Sequence, residues 1–108
     1  MSYSVKSLAS FEKQAKRIIK KYPSLKQEIF DLIQSLKDNP EQGTSLGKNS
    51  FKIRLSIASK QKGKSGGARV ITNIVIQEKI VYLVSIYDKS EVSSVTDKEL
   101  DELLKQIK

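Results

Sequence analysis

The chain has 108 residues, 20 Lys/Arg against 12 Asp/Glu, a formal net charge of +8, and neither Cys nor His. Its length fits one domain spanning residues 1–108 with a core of its own. The missing side chains remove disulfides, thiolate metal sites, a Cys nucleophile and the usual imidazole ligand, so no metal and no cofactor are expected.

No apolar run approaches the about 18 residues of a membrane span. The N-terminus, MSYSVKSLASFEKQ, lacks the charged-then-apolar order of a signal peptide. A cytoplasmic location is the expectation.

Ser2 to Lys6 alternates and reads as a short strand, with Tyr3 and Val5 on one side. Ser7 is placed to cap a helix whose apolar positions are Leu8, Phe11, Ala15, Ile18, Ile19 and Tyr22. Lys13, Lys16, Arg17, Lys20 and Lys21 fall on its other side, where they read as a solvated face. Pro23 closes it, because proline pushes the preceding residue out of helical geometry. Ser24 and Gln27 form the S-x-x-Q pattern of a capping box for a second helix, with Leu25, Ile29, Leu32, Ile33 and Leu36 as its stripe. Asn39-Pro40 stops it. The short connection predicts an antiparallel helical hairpin whose two stripes cover one common surface.

Residues 39–50, NPEQGTSLGKNS, read as a loop. Phe51, Ile53, Leu55 and Ile57 then alternate with Lys52, Arg54, Ser56 and Ala58, a strand with one buried and one polar face. KQKGKSGG, residues 60–67, has no apolar residue and reads as an exposed loop. RVITNIVI and IVYLVSIY are two β-branched strands joined by Gln77-Glu78-Lys79. After a loop from Asp88 to Val95, Thr96 and Glu99 form a T-x-x-E capping box, opening a last helix with Leu100, Leu103, Leu104 and Ile107 on one face. The order β-α-α-β-β-β-α predicts an α+β fold, with the hairpin on one face of an antiparallel sheet.

The cations are unevenly spread. From Gln42 to Gln77 there is no carboxylate, and Lys48, Lys52, Arg54, Lys60, Lys62, Lys64 and Arg69 fall inside that window. They carry +7 of the net +8. One positive face on a nearly neutral scaffold is the expectation, and such a face is an electrostatic footprint for a polyanion.

Three pieces of the chain resemble the RelE/ParE superfamily of type II toxin–antitoxin modules, and most closely its RelE/HigB-type branch. There a strand ending K-I/V-R precedes a basic G-K-x-G-G-x-R loop, two apolar strands and a Y-x-K-x-E segment. The counterparts are Lys52-Ile53-Arg54, Gly63 to Arg69, and Tyr87-Asp88-Lys89-Ser90-Glu91. The likeness covers about Phe51 to Leu100 by motif and the rest by element order.

The resemblance implies a RelE-like microbial-RNase-type fold and a ribosome-dependent mRNA endoribonuclease (an mRNA interferase) that inhibits translation. It also implies a cognate antitoxin, often a helix-turn-helix repressor, covering the active face. By the same resemblance Lys52 and Arg54 match the basic strand positions, and Arg69 the arginine that starts the next strand. Lys89 sits where the family often has a catalytic arginine. RelE proper has a tyrosine on the segment leading into the last helix. Ser93, Ser94 and Val95 stand there in this chain, with Tyr87 as the nearest substitute.

Cutting RNA with its own 2′-hydroxyl requires removing that proton, stabilising the phosphorane and protonating the leaving oxygen. Arginine grips phosphate bidentately, while lysine is a point charge that also titrates. Arg54 and Arg69 are therefore assigned to the phosphate, and Lys52 or Lys89 to proton transfer. Tyr87 stacks on a base or caps the sheet; Glu91 orients Lys89 or caps a turn. Lys48, Lys60, Lys62 and Lys64 are assigned to RNA or ribosome backbone contacts. Two other readings stand beside this one: a ParE-like inhibitor of DNA gyrase, and an RNA-binding module that cuts nothing.

Overall fold

The computed structural model describes residues 2–57, 67–91 and 95–107. Five strands form one sheet: β1 (Ser4–Ser7), β2 (Thr44–Gly47), β3 (Ser50–Leu55), β4 (Ala68–Val75) and β5 (Ile80–Asp88), in the spatial order β1-β5-β4-β3-β2. Helices α1 (Ala9–Lys21) and α2 (Leu25–Asp38) form the predicted hairpin, and α3 (Asp97–Leu104) is the last helix. Single turns of 3₁₀ helix follow β4 at Ile76–Glu78 and α3 at Lys105–Ile107.

Two features depart from the expected order. The sheet is mixed, because β1 pairs with β5 in parallel, Val5 opposite Val81. Strand β1 lies at one edge of the sheet and β2 at the other, so the chain crosses the sheet through both helices between them. Residues 44–47, read as loop, form β2 and pair with β3 in antiparallel fashion. The turn between them puts Lys48 and Asn49 both at positive φ (56° and 60°), the backbone twist that suits a tight hairpin. Buried Asn73 fastens this turn through its Nδ2, which donates to Lys48 O and Ser50 Oγ, each at 2.9 Å.

The helix signals fared unequally. The Thr96–Glu99 capping box forms in both directions: Glu99 N donates to Thr96 Oγ1 at 3.1 Å, and Thr96 N donates to Glu99 Oε1 at 2.9 Å. The Ser24–Gln27 box does not form. Leu25 N already bonds Tyr22 O, which puts Ser24 in helical geometry, and Gln27 turns to Asp31 instead. Ser7 belongs to β1 rather than to a cap, and its hydroxyl donates to Glu12.

Alternation along the strands divides the sheet into two faces. Ile53, Leu55, Ala68, Val70, Ile74, Val81, Leu83 and Ile86 meet Phe11, Ala15 and Ile18 of α1 and Leu25, Ile29, Leu32 and Leu36 of α2. The opposite face holds a smaller cluster, Ile71, Val84, Tyr87 and Leu100, with Leu103, Leu104 and Ile107 packed against it. A β-bulge keeps both faces consistent. Ile71 pairs with Ser85 but Thr72 pairs with Leu83, so Val84 is the extra residue on β5. Leu83 and Tyr87 are four apart and would share a face in a regular strand. The bulge shifts the phase, leaving Leu83 under the hairpin and Tyr87 under α3.

Beyond Leu83 the outer edge of β5 has no strand beside it among the described residues. A polar stripe of α1 covers it. Ser10 Oγ donates to Val84 O at 2.8 Å, and Gln14 Oε1 accepts from Ile86 N at 3.1 Å and from Ser85 Oγ at 2.9 Å. Further on, Arg17 and Lys21 approach Glu91 at 3.1 and 3.9 Å. Positions 10, 14, 17 and 21 share one helical face, so α1 hides backbone groups that an edge would otherwise offer to another chain.

Candidate nucleic-acid interface

Register decides which candidate residues meet. Arg54 lies opposite Arg69, and Arg69 opposite Tyr87, so one row crosses β3, β4 and β5. Lys52 starts the next row, opposite Ile71, which is opposite Ser85. Directly paired residues point the same way, and both rows lie on the α3 face, since Ile53, Leu55, Ala68 and Val70 occupy the other. Neighbouring strands are about 4.8 Å apart, so the row from Arg54 to Tyr87 spans roughly 10 Å.

The row is not uniformly exposed. Arg54 is open to solvent and Lys52 is half-buried, whereas Arg69 is only 4% exposed. The expectation of a wholly solvent-facing cationic surface therefore fails at its centre, where β4 is flanked on both sides. A buried guanidinium keeps its charge, and its Nη1 donates to Ala68 O at 3.2 Å. Tyr87, 6% exposed, shows the effect of that neighbourhood. Burial pushes its phenol above the ordinary 10.0, while the positive charge of Arg69 pulls the other way and loses. Its hydroxyl is buried with no hydrogen-bond partner among the described residues. Such an orphan costs about 1–3 kcal/mol. At neutral pH Tyr87 is thus a protonated phenol, suited to donating a proton or stacking rather than to acting as a base.

The other assigned residues lie elsewhere. Pairing of β4 with β5 ends at Asp88, and Lys89 follows with its N–H on Gly67 O at 3.0 Å, at the end of the sheet where β4 begins. Asp88 Oδ1 accepts from Ser90 N and Ser90 Oγ at 3.0 and 2.8 Å, turning the chain there. Glu91 follows neither sequence reading: its carboxylate is drawn to Arg17 and Lys21. Lys48 sits in the β2–β3 turn, at the opposite end of β3, and forms an ion pair with Asp101 of α3. Lys60, Lys62 and Lys64 lie outside the described residues.

Folding also changes the charge picture. Lys52 and Arg54 line a cleft of about 530 Å³ whose other wall, on α2, carries Glu28 and Asp31. The window without acids in the linear sequence therefore has acids from α2 and α3 brought to its side. Among the described residues no group of three or more His, Asp or Glu side chains could hold a metal, and no helix is long and apolar enough to cross a membrane.

Sequence reasoning missed Gln14. It shares with Phe11, Ala15 and Ile18 the spacing of the buried stripe, and a polar residue on an apolar stripe is the signal that could have found it. It reaches past β5 into a second pocket of about 320 Å³, lined by Gln14, Ser85, Tyr87, Val95, Glu99 and Leu103. Glu99 enters from the first turn of α3, where its bonds to Thr96 hold its carboxyl below the usual 4.5 and keep it ionised.

A helical hairpin on one face of a five-stranded sheet, and a row of cations beside a buried tyrosine on the other, define a small α+β protein built to present positive charge. The model of the RelE toxin of the RelE/RelB toxin–antitoxin system matches residues 6–108, and the chain belongs to this toxin family. The fold agrees with that of the E. coli toxin RelE in its free state, solved as a double arginine-to-alanine mutant. The TM-score is 0.66 at 14% identity, over 100% of both chains.

Proposed function

We propose that this toxin is a ribosome-dependent endoribonuclease that cleaves mRNA by attack of the 2′-hydroxyl, inhibits translation, and is neutralised by a cognate antitoxin in the cytoplasm. The observation that carries the reading is the row Arg54–Arg69–Tyr87 with Lys52 beside it, on one sheet face. Arg69, rigidly held, sets a fixed positive charge for the phosphorane, and Arg54 grips the phosphate from the open side. Lys52 is the proton-transfer residue nearest to them by register, with Lys89 the alternative at the sheet end. Tyr87, protonated, suits the leaving oxygen or a stacked base. Lys48, Lys60, Lys62 and Lys64 serve ribosomal RNA contacts, and residues 1–108 act as one domain. Family membership supports the toxin class and the antitoxin partner.

The test is a cleavage map by primer extension on ribosomes programmed with mRNA, for the wild type and for Lys52→Ala/Arg54→Ala. Both side chains reach solvent, so the fold should survive where loss of buried Arg69 endangers packing. Loss of one charge-stabilising donor typically costs about 10²–10³ in rate, and the double variant should lose at least that, with melting temperature unchanged. Undiminished cleavage would remove these two residues from the site. Broken DNA with intact transcripts would favour gyrase inhibition instead.

A further inference from the structure

The pocket beneath α3 has polar capacity that its own side chains leave unused. Gln14 is fixed in orientation: its oxygen accepts from the Ile86 backbone N–H, which only an oxygen can do, so its amide N–H₂ must face away. That N–H₂ makes no hydrogen bond among the described residues. Glu99 uses Oε1 on Thr96 N, and its Oε2 has no partner among them either. Tyr87 adds an aromatic ring and the unpartnered hydroxyl, and Val95 and Leu103 give apolar walls. A donor pair, a carboxylate and an aromatic ring between apolar walls match a planar heterocycle with a hydrogen-bonding edge. Tyr87 also lies directly opposite Arg69, so the pocket opens beside the row assigned to phosphate.

We propose that this pocket receives one nucleobase of the RNA, with Gln14 and Glu99 as specificity-determining residues that favour a base carrying an amino group over uracil. The inference rests on the RNA-cutting reading and extends it. Glu99, an acceptor only, takes an exocyclic N–H₂, while the Gln14 amide donates to a neighbouring ring nitrogen or carbonyl. Uracil offers one N–H flanked by two carbonyls: when that N–H meets the carboxylate, one carbonyl can accept from Gln14, but the other is pressed against the negative charge. Adenine, guanine and cytosine each present an amino group beside an acceptor.

Two near-isosteric variants separate this from packing. Gln14→Glu keeps an oxygen for Ile86 N and removes the donor. Glu99→Gln keeps the capping box, which glutamine also satisfies, and removes the pure acceptor. On programmed ribosomes the wild type should show one position near the cut where uracil is disfavoured about tenfold, the scale of one good base-edge contact. Each variant should flatten that ratio, whatever its total rate. A wild type with no such position, or a bias surviving in both variants, overturns the proposal while leaving RNA cleavage standing. A second measurement needs no cleavage: AMP, GMP and CMP, but not UMP, should shift the Gln14 side-chain amide NMR signals. A protein that binds these nucleotides but never cuts RNA keeps the pocket and overturns the enzymatic reading. A protein that does neither overturns both.

Discussion

The hairpin-covered face and the α3-covered face come from the same strands but are filled by opposite rules. Under the hairpin, Leu25, Leu36, Ala68, Val70 and Val81 are wholly buried and the cluster is aliphatic apart from Phe11. Under α3, Ile71, Val84, Tyr87 and Leu100 form a small patch flanked by Arg69, Lys52 and Arg54. Helix α3 itself contributes a single buried residue, Leu100. The first face supplies cohesion. Each face holds one buried hydroxyl with no hydrogen-bond partner among the described residues, Thr72 under the hairpin and Tyr87 under α3, and the second face also buries the guanidinium of Arg69. That buried charge, a costlier departure from packing rules than an orphan hydroxyl, falls where function is expected.

The contrast is testable by matched truncations. Leu36→Ala should have the largest stability effect, about 3–5 kcal/mol in urea unfolding, as a leucine with no exposure cut from a closed core. Leu100→Ala should cost less, roughly 2 kcal/mol, because α3 can settle over the gap. It should also raise hydrogen exchange in α3 selectively. Equal costs would mean that the faces are equivalent after all. Smaller still, Thr96→Ala should lose about 1 kcal/mol with the capping box.

Two titrations sharpen the same contrast. Glu99 has a depressed pKa, so its stabilising contribution is present above its ordinary 4.5 and fades as pH falls through the folded value. Glu99→Gln should flatten the acid limb of a stability–pH profile without destroying the helix. Tyr87 has a raised pKa, so the stability it contributes is intact below pH 10.0 and is lost as pH climbs through the folded value. Of the four tyrosines, one should ionise last in an absorbance titration, and Tyr87→Phe should delete that phase. An unchanged last phase would put the shift on another tyrosine.

Much of this architecture was legible in the residues. The 3.6-residue stripes located all three helices and the period-2 runs located β1 and β3, because burial imposes those periods, while β-branched density located β4 and β5. Strand β2 was hidden: four residues including a glycine carry no period, and its turn depends on two successive positive-φ residues, Lys48 and Asn49. The parallel pairing of β1 was equally silent, since alternation reports a face and never a neighbour. At the candidate site, charge and alternation put Lys52 and Arg54 on one face, but not the burial of Arg69, which follows from the central position of β4. Lys48 looked like part of the basic face only because Asp101, its partner, is 53 residues away.

The one-residue surplus at Val84 makes β5 sensitive to length in a way that composition does not reveal. Removing Val84 would restore an unbroken ladder with Ile71–Thr72 and keep both halves in phase, because Leu83 and Tyr87 would then be three apart and still face opposite ways. An added residue that the bulge did not absorb would instead rotate one half of the strand through a half-turn. A phenol would then enter the aliphatic layer, or a leucine would surface beside the cations. Conservative replacement of any single side chain in this strand is therefore a milder insult than an insertion that leaves every existing side chain unaltered.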